Sequence, residues 1–467
     1  MPHVMTIDGR PVQGAHRLRV EDPALGKAFD EAPDCSPAEL DTAVAAAEVA
    51  SRQWAGLSEA ARRQALLACG TLLSQHSKEI ALLLTREQGK PYRAAAAEVG
   101  LAADWFRQTA QLTLVPGEVV AAGERSEVRI DRIPHGVVAA ISPSNFPIIL
   151  AVTKLAPALL AGNTVVLKPS PLTPLSTLRM GEILSDALPP GVLDVISGGG
   201  DLGRRLTTHP GVRMISFTGS VATGRAIARD AAGTFKRVVL ELGGNDAAIV
   251  LPDQDVGEIA EALFGRAMEN SGQFCAAVKR VYVARHQQDE LAEALAKLAR
   301  GTRLGNGLDP ETDLGPLVSA EQLDWVSTLV REAEEAGARV VAGGAPVPGV
   351  GHFYPPTIVT GLPAGTRLET EEQFGPVLPV LAYDSVDEAI TRANATEFGL
   401  GGSVWGEESA ARKVAAELDC GTSWVNTHGA LRGDAPFGGY RTSGVGVEYG
   451  YWGLLEYTRL KVLNVAR

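Results

Sequence analysis

The stretch that decides the fold runs from Gly136 to Ser170, "GVVAAISPSNFPIILAVTKLAPALLAGNTVVLKPS". Two apolar runs, "VVAAI" and "TVVLK", bracket a polar turn and a segment long enough for a helix. Strands that are apolar on both faces belong to a parallel sheet covered on each side, since a strand with one wet face would alternate. Gly136 to Thr153 carries no charge, but Pro143, Asn145 and Pro147 interrupt it. It therefore reads as strand, turn and helix, and not as a membrane span.

The same texture continues outward. "LDVIS", "MISFT", "RVVLE" and "AAIVL" are further strand-like runs, with helices expected over Pro147–Leu160, Pro174–Ala187, Asp201–Thr208 and Ser220–Ala232. Repeated strand–helix–strand units specify an α/β fold with a Rossmann-like parallel sheet. A second α/β region runs from Val250 to about Asn426. The first hundred residues look helical: Ser36, Pro37 and Glu39 form a capping box, another helix follows Ser58, and a third runs from about Ser77 to Gly89. "EVRIDRI" and "EYTRLKVLNV" alternate with period two. They form an edge sheet that pairs with another subunit, or two surface strands of a monomer.

A chain of 467 residues is too long for one hydrophobic core, so two or three domains are expected. The net charge of −12 argues against a nucleic-acid partner, which would call for basic stripes. Cys35, Cys69, Cys275 and Cys420 lie far apart without CxxC spacing, which reads as a reduced, cytoplasmic protein. No metal-ligand cluster stands out.

Several motifs then carry chemistry. "SGGGDLG" holds Gly198, Gly200 and Gly203 in G-x-G-x-x-G spacing, but no acidic residue follows where a ribose contact belongs; a plain Gly-rich turn is the other reading. Gly219 and Ser220 open a helix whose N–H groups suit a pyrophosphate, or simply cap it. Lys168 ends a strand, where it contacts a ribose or 2′-phosphate or is solvated. Cys275 follows a Gly-Gln turn, Glu241 ends "RVVLE", and Asn145 leaves a third strand end. A thiolate, a carboxylate to activate water and a carboxamide for an oxyanion suffice for acyl chemistry if they converge. Singly, each reads equally as a core cysteine, a surface charge and a turn residue.

Taken together and in order, "IPHGVVAAISPSNFP", "AGNTVVLKPSPLTP", "ISFTGSVATG", "LELGGN", "NSGQFC", "EEQFGPVLPV", "GTSWVN" and "PFGGYRTSG" resemble the aldehyde dehydrogenase superfamily over essentially the whole chain. The resemblance implies a cofactor domain from residues 1–115 and 135–243, a catalytic α/β domain over 244–442, and a small β oligomerisation element from 116–134 and 453–467. It implies NAD or NADP as cofactor, a small-molecule aldehyde as substrate and a homodimer or homotetramer. Cys275 is then the nucleophile, Glu241 the general base and Asn145 the oxyanion donor. Ile141, Lys168, Ser170, Gly200, Phe217, Gly219, Ser220, Gly224, Leu242, Glu372 and Phe374 are implied to hold the cofactor.

Three positions depart from the common pattern. Pro171 replaces a ribose-binding glutamate, which leaves NADP open beside NAD. Ser144 replaces a tryptophan, which makes part of the wall near the cofactor smaller, and Asn245 replaces the lysine after "ELGG", without an evident reading. The implied substrate wall is Phe146, Glu269, Phe274, His428, Leu431, Arg432 and Phe437, which leaves substrate polarity open. Competing readings are a Cys-dependent amidase or acyltransferase and a non-catalytic structural relative.

Overall fold

The computed structural model describes residues 2–114, 117–122 and 126–466; Met1, 115–116, 123–125 and Arg467 lie outside the described residues, as do the parts of the expected bridging segments that fall there. The first sheet has eight strands. Val137–Ile141 lies between Thr164–Lys168 on one side and Val212–Thr218 on the other, all parallel. Leu193–Val195 extends the sheet beyond Thr164–Lys168, and Arg237–Glu241 extends it beyond Val212–Thr218. The chain therefore reverses its direction of travel at Val137–Ile141. Such a switch point opens a crevice at the carboxyl ends of the flanking strands. Ile141, Lys168, Thr218 and Glu241 are those ends.

The expected all-helical start needs correction. Short strands occupy residues 5–34 before the first helix, Pro37–Gly56. Met5–Ile7 joins the edge of the large sheet. His16–Asp22 and Lys27–Asp34 form an antiparallel hairpin whose charged residues mask the strand signal. The capping box at Ser36 and Glu39 is present, and Gly89 ends Ser77–Gln88 with φ +96°, which glycine adopts freely.

Ala247–Val250, the sixth apolar run, belongs to a second, seven-stranded sheet. There it lies parallel to Arg280–Ala284 and to Gly401–Trp405. The two alternating segments pair with each other: Thr458–Ala466 runs antiparallel along Ser126–Pro134, with Glu118–Ala122 on the far side. Leu460, Val462, Leu463 and Val465 remain exposed. The helix Pro147–Leu160 is buried on almost every side, and Lys154 sits within it. Among the described residues no helix is long and apolar enough to cross a membrane.

Candidate active site

Cys275 leaves a tight turn whose backbone is left-handed at three successive residues: Asn270 (φ +52°), Ser271 (+56°) and Gly272 (+72°). Such conformations cost energy outside glycine, so neighbours must hold them. Asn270 Nδ2 donates to the Asn145 carbonyl at 3.0 Å, Ser271 Oγ to the Gly315 carbonyl at 2.8 Å, and Lys279 Nζ to the Gly272 carbonyl at 2.8 Å. At Gly272 a Cβ would meet the Gly375 carbonyl at 2.1 Å, so no other residue fits.

Cys275 and Asn145 line one cavity of about 350 Å³, together with Leu242, Glu372 and Phe374. The Asn145 side chain is buried, and its Nδ2 donates to the Gln273 carbonyl at 3.0 Å. That acceptor fixes which way the amide faces and leaves its second N–H unspent. Burial raises the Cys275 thiol, as do the nearby carboxylates Glu372, Glu241 and Asp246, while Lys279 opposes them. The site thus holds the thiol protonated until positive charge or a base arrives.

Glu241 is buried at its strand end, and Oε1 has no hydrogen-bond partner among the described residues. Burial raises its carboxyl well above the usual range, Glu448 raises it further, and Lys154 lowers it. Lys154 Nζ donates to Glu448 at 2.5 Å and to Thr218 Oγ1 at 2.6 Å. Neither Lys154 nor Glu448 stands out in the sequence as a site residue. A lone lysine in the apolar helix "PIILAVTKLAPALL" was the available signal.

The cavity shares Ser144, Thr218, Gly219, Ser220 and Phe374 with a larger cleft of about 870 Å³ lined by Ile141, Lys168, Ser170, Pro171 and Phe217. A third cavity of about 690 Å³ continues past Lys168, Pro171, Gly200, Arg204 and Arg229. Ser220 caps the helix Val221–Ala232, its side chain accepting from Thr223 N. Gly224 lies where a Cβ would meet Leu242 at 2.5 Å, so helix and strand end approach closely. Lys168 is buried, which lowers it to about 8, and donates to its neighbour's carbonyl, that of Pro169, at 3.2 Å.

The cleft suits a dinucleotide. The buried Ser142 hydroxyl that lines it has no partner among the described residues, and Gly199 and Gly200 leave open space in the adjoining cavity. Lys168 and the capped helix N-terminus supply donors for an anion. Glu372, pushed up to about 7 by burial, accepts from the Gly244 N–H at 3.3 Å. Phe374 stands at φ +45°, its carbonyl bound by Gln322 Nε2.

Three residues expected in the substrate wall make other contacts. Glu269 pairs with Arg266 at 3.2 Å and lines a separate groove with Phe264 and Leu314. His428 is fully buried, bonded through Nδ1 to Ser403 Oγ at 2.9 Å, with Nε2 3.6 Å from Asp246. Arg432 is spent on Asp434 in solvent. Glu269, His428 and Arg432 thus each have a side-chain partner of their own. Asn245 also gains a reading: its Nδ2 donates to the Glu369 carbonyl and its own carbonyl accepts from Arg280, so it is structural.

Several aromatic side chains also cluster near the reacting residues, outside the lining of the Cys275 cavity. Phe146 meets Phe274 edge-on at 5.4 Å, Phe437 stacks on Tyr449 at 5.7 Å, and Trp105 meets Tyr449 at 4.7 Å. Tyr449 is close enough to Cys275 and Glu241 to feel their charge. Leu431 packs on the same core. Trp105 and Tyr449 are members that the sequence alone did not reveal.

The sequence model of the Aldehyde dehydrogenase family matches residues 11–463. The chain is 38% identical to a phenylacetaldehyde dehydrogenase of Pseudomonas fluorescens, over 100% of this chain and 96% of that protein. It superposes with TM-score 0.96 on an NADP dependent enzyme of Escherichia coli, at 33% identity over 100% of this chain and 98% of that one. It superposes equally, with TM-score 0.96, on betaine aldehyde dehydrogenase of Staphylococcus aureus in complex with NAD+, at 31% identity over 100% and 97%.

Proposed function

Because this chain belongs to the aldehyde dehydrogenase family, we propose that it oxidises an apolar, aryl-bearing aldehyde to the free carboxylic acid through Cys275, with NAD or NADP as acceptor. The observation that carries the reading is the cavity shared by Cys275 and Asn145, continuous with a cleft fit for a dinucleotide.

Cys275 reacts as the thiolate, its proton having passed to solvent, and Sγ attacks the aldehyde carbon. The carbonyl oxygen becomes an oxyanion held by the free N–H of Asn145 Nδ2 and by the Cys275 backbone N–H. When bound, the nicotinamide would supply positive charge near the thiol and an acceptor for the hydride that the adduct carbon gives up. Lys168, Ser170, Gly219 and Ser220 would hold its phosphates and adenosine ribose, and Glu372 and Phe374 its nicotinamide end. The carbonyl re-forms as a thioester on Cys275. Glu241 then takes a proton from water, whose oxygen adds to the thioester carbon. Collapse of that adduct expels the Cys275 thiolate and releases the acid.

The aromatic wall supports the substrate class. With Glu269, His428 and Arg432 engaged elsewhere, nothing in the wall favours a charged substrate. The phenylacetaldehyde dehydrogenase relative is consistent with this reading. Either nicotinamide cofactor is expected to serve, because Pro171 removes a carboxylate and Arg204 and Arg229 line the distal cavity. Four free thiols support a cytoplasmic setting. The exposed apolar residues of Thr458–Ala466 support a homodimer or homotetramer.

An aldehyde panel read by NAD(P)H absorbance, run separately with NAD and NADP, tests the proposal. Phenylacetaldehyde should outperform carboxylated and quaternary-ammonium aldehydes. A preference for the charged aldehydes would overturn the substrate assignment, and no turnover with any aldehyde would overturn the reaction.

A further inference from the structure

Lys90 and Glu98 lie outside the cavity, yet their side chains are only 1% and 2% exposed. Lys90 Nζ donates to Glu98 Oε2 at 2.6 Å and to the backbone carbonyl of Asn145 at 2.7 Å, and it stands 3.9 Å from the centre of the Phe146 ring. The other Glu98 oxygen accepts from the N–H groups of Ile148 at 2.9 Å and Ile149 at 3.3 Å. Those two residues open the helix Pro147–Leu160. One ion pair therefore grips both ends of the short segment 145–149. Its side chains come from the Gly89–Pro91 turn and the helix Tyr92–Thr109.

Burying an ion pair is a poor way to gain stability, because desolvation offsets the attraction and an apolar pair of equal volume often serves as well. What a lysine offers here, and a methionine does not, is a directed bond to a backbone oxygen. Asn145 needs one. Among the described residues its carboxamide has a single anchor, Nδ2 to the Gln273 carbonyl, and its Oδ1 has no partner. The backbone must then set where the amide sits. The Asn145 carbonyl is held by Lys90 and Asn270 together. Lys90 also fixes Phe146, the neighbouring wall residue.

We infer that Lys90, held in place by Glu98, is a positioning residue that sets the Asn145 carboxamide against Cys275. The inference rests on the reaction proposed above, in which Asn145 meets the oxyanion. Lys90 touches neither substrate nor reacting atoms; it acts through the backbone of its neighbour.

The test compares the full-length protein with Lys90→Met, Lys90→Arg and Glu98→Gln in two reactions of Cys275. Acylation by p-nitrophenyl acetate passes through an oxyanion but needs no nicotinamide, and its burst is read as nitrophenolate. Alkylation by iodoacetamide displaces iodide and forms no oxyanion. Misplacement of a reacting group by about 1 Å costs on the order of 100-fold, so Lys90→Met should slow the acylation burst about 10- to 100-fold. Alkylation should stay within about twofold of the parent, and Lys90→Arg should recover part of the loss. Glu98→Gln, which keeps an oxygen for the helix N–H groups, stands in if the methionine variant does not fold, and should show the same split more weakly.

An unchanged burst in these variants would overturn the inference. So would equal loss of acylation and alkylation, which would make the pair a general support of the fold. A parent that acylates normally but forms no NAD(P)H with any aldehyde would overturn the dehydrogenase reading alone, and the burst comparison would still decide the role of Lys90.

Discussion

The Asn145 carboxamide donates to the Gln273 carbonyl at 3.0 Å, and Gln273 stands two residues before Cys275. The group proposed to receive the oxyanion is thus tied to the strand of chain that carries the nucleophile. Asn145→Ala removes one oxyanion donor and this tie together. Turnover should fall about 10²- to 10³-fold, with a much smaller change in KM, in steady-state NAD(P)H formation. A loss confined to KM would mean that Asn145 binds substrate equally in ground and transition states.

Glu241 is expected to act chiefly after hydride transfer. Its carboxyl must be ionised to take a proton from water, and burial with Glu448 holds it up. Hydrolysis should therefore climb with rising pH above the ordinary carboxylate range. Lys154 favours the ionised form, so Lys154→Met should move the rising limb of kcat to higher pH, and Glu448→Gln should move it lower. A pH profile identical in all three proteins would contradict the coupling.

The reach of the sequence differed between these groups. Cys275, Glu241, Asn145 and Lys168 sit at strand ends or turns, and the ordered motifs around them carry the family resemblance that implies their roles. Lys154 and Glu448 are brought together by the fold from distant parts of the chain, and Lys90 with Asn145 likewise. Spacing cannot show such pairs. His428 looked like a pocket residue because its neighbours in sequence are; Ser403 and Asp246, both distant, turn it inward. The hairpin at His16–Asp34 leaves no strand signal in the sequence, because charged residues occupy both of its strands.

Stability should also depend on pH. Burial raises both Glu87 and Glu372 to about 7 from an ordinary value of 4.5. A group whose folded value lies above its unfolded one stabilises most below the unfolded value, and that contribution is lost as pH rises through the folded one. The Tm of the cofactor-free protein should accordingly fall between about pH 5 and pH 8. Glu372→Gln should flatten part of that fall; a Tm that rises across the window in the parent would contradict it.

Cofactor choice turns on Pro171. Pro171→Glu places a carboxylate beside the distal cavity, where Arg204 and Arg229 otherwise make the field positive. KM for NADP should rise at least about tenfold, the effect of about 1.4 kcal/mol of repulsion, while KM for NAD changes little. Equal effects on both cofactors would show that the position does not see the 2′-phosphate.

The three-stranded sheet predicts assembly. Leu460→Asp with Val462→Asp places charge on its exposed face, and the protein should shift to a smaller species on a sizing column. No shift, or a monomeric parent, would remove the sheet from the interface.

The central claim is that the acyl group is carried on Cys275. Glu241→Gln, mixed with phenylacetaldehyde and NAD or NADP and quenched after the first burst of NAD(P)H, should accumulate the thioester. Peptide mass spectrometry should then find the phenylacetyl mass on the fragment containing Cys275, in roughly one-to-one yield with the burst. A burst without an adduct on Cys275, or an adduct on another residue, would contradict the account.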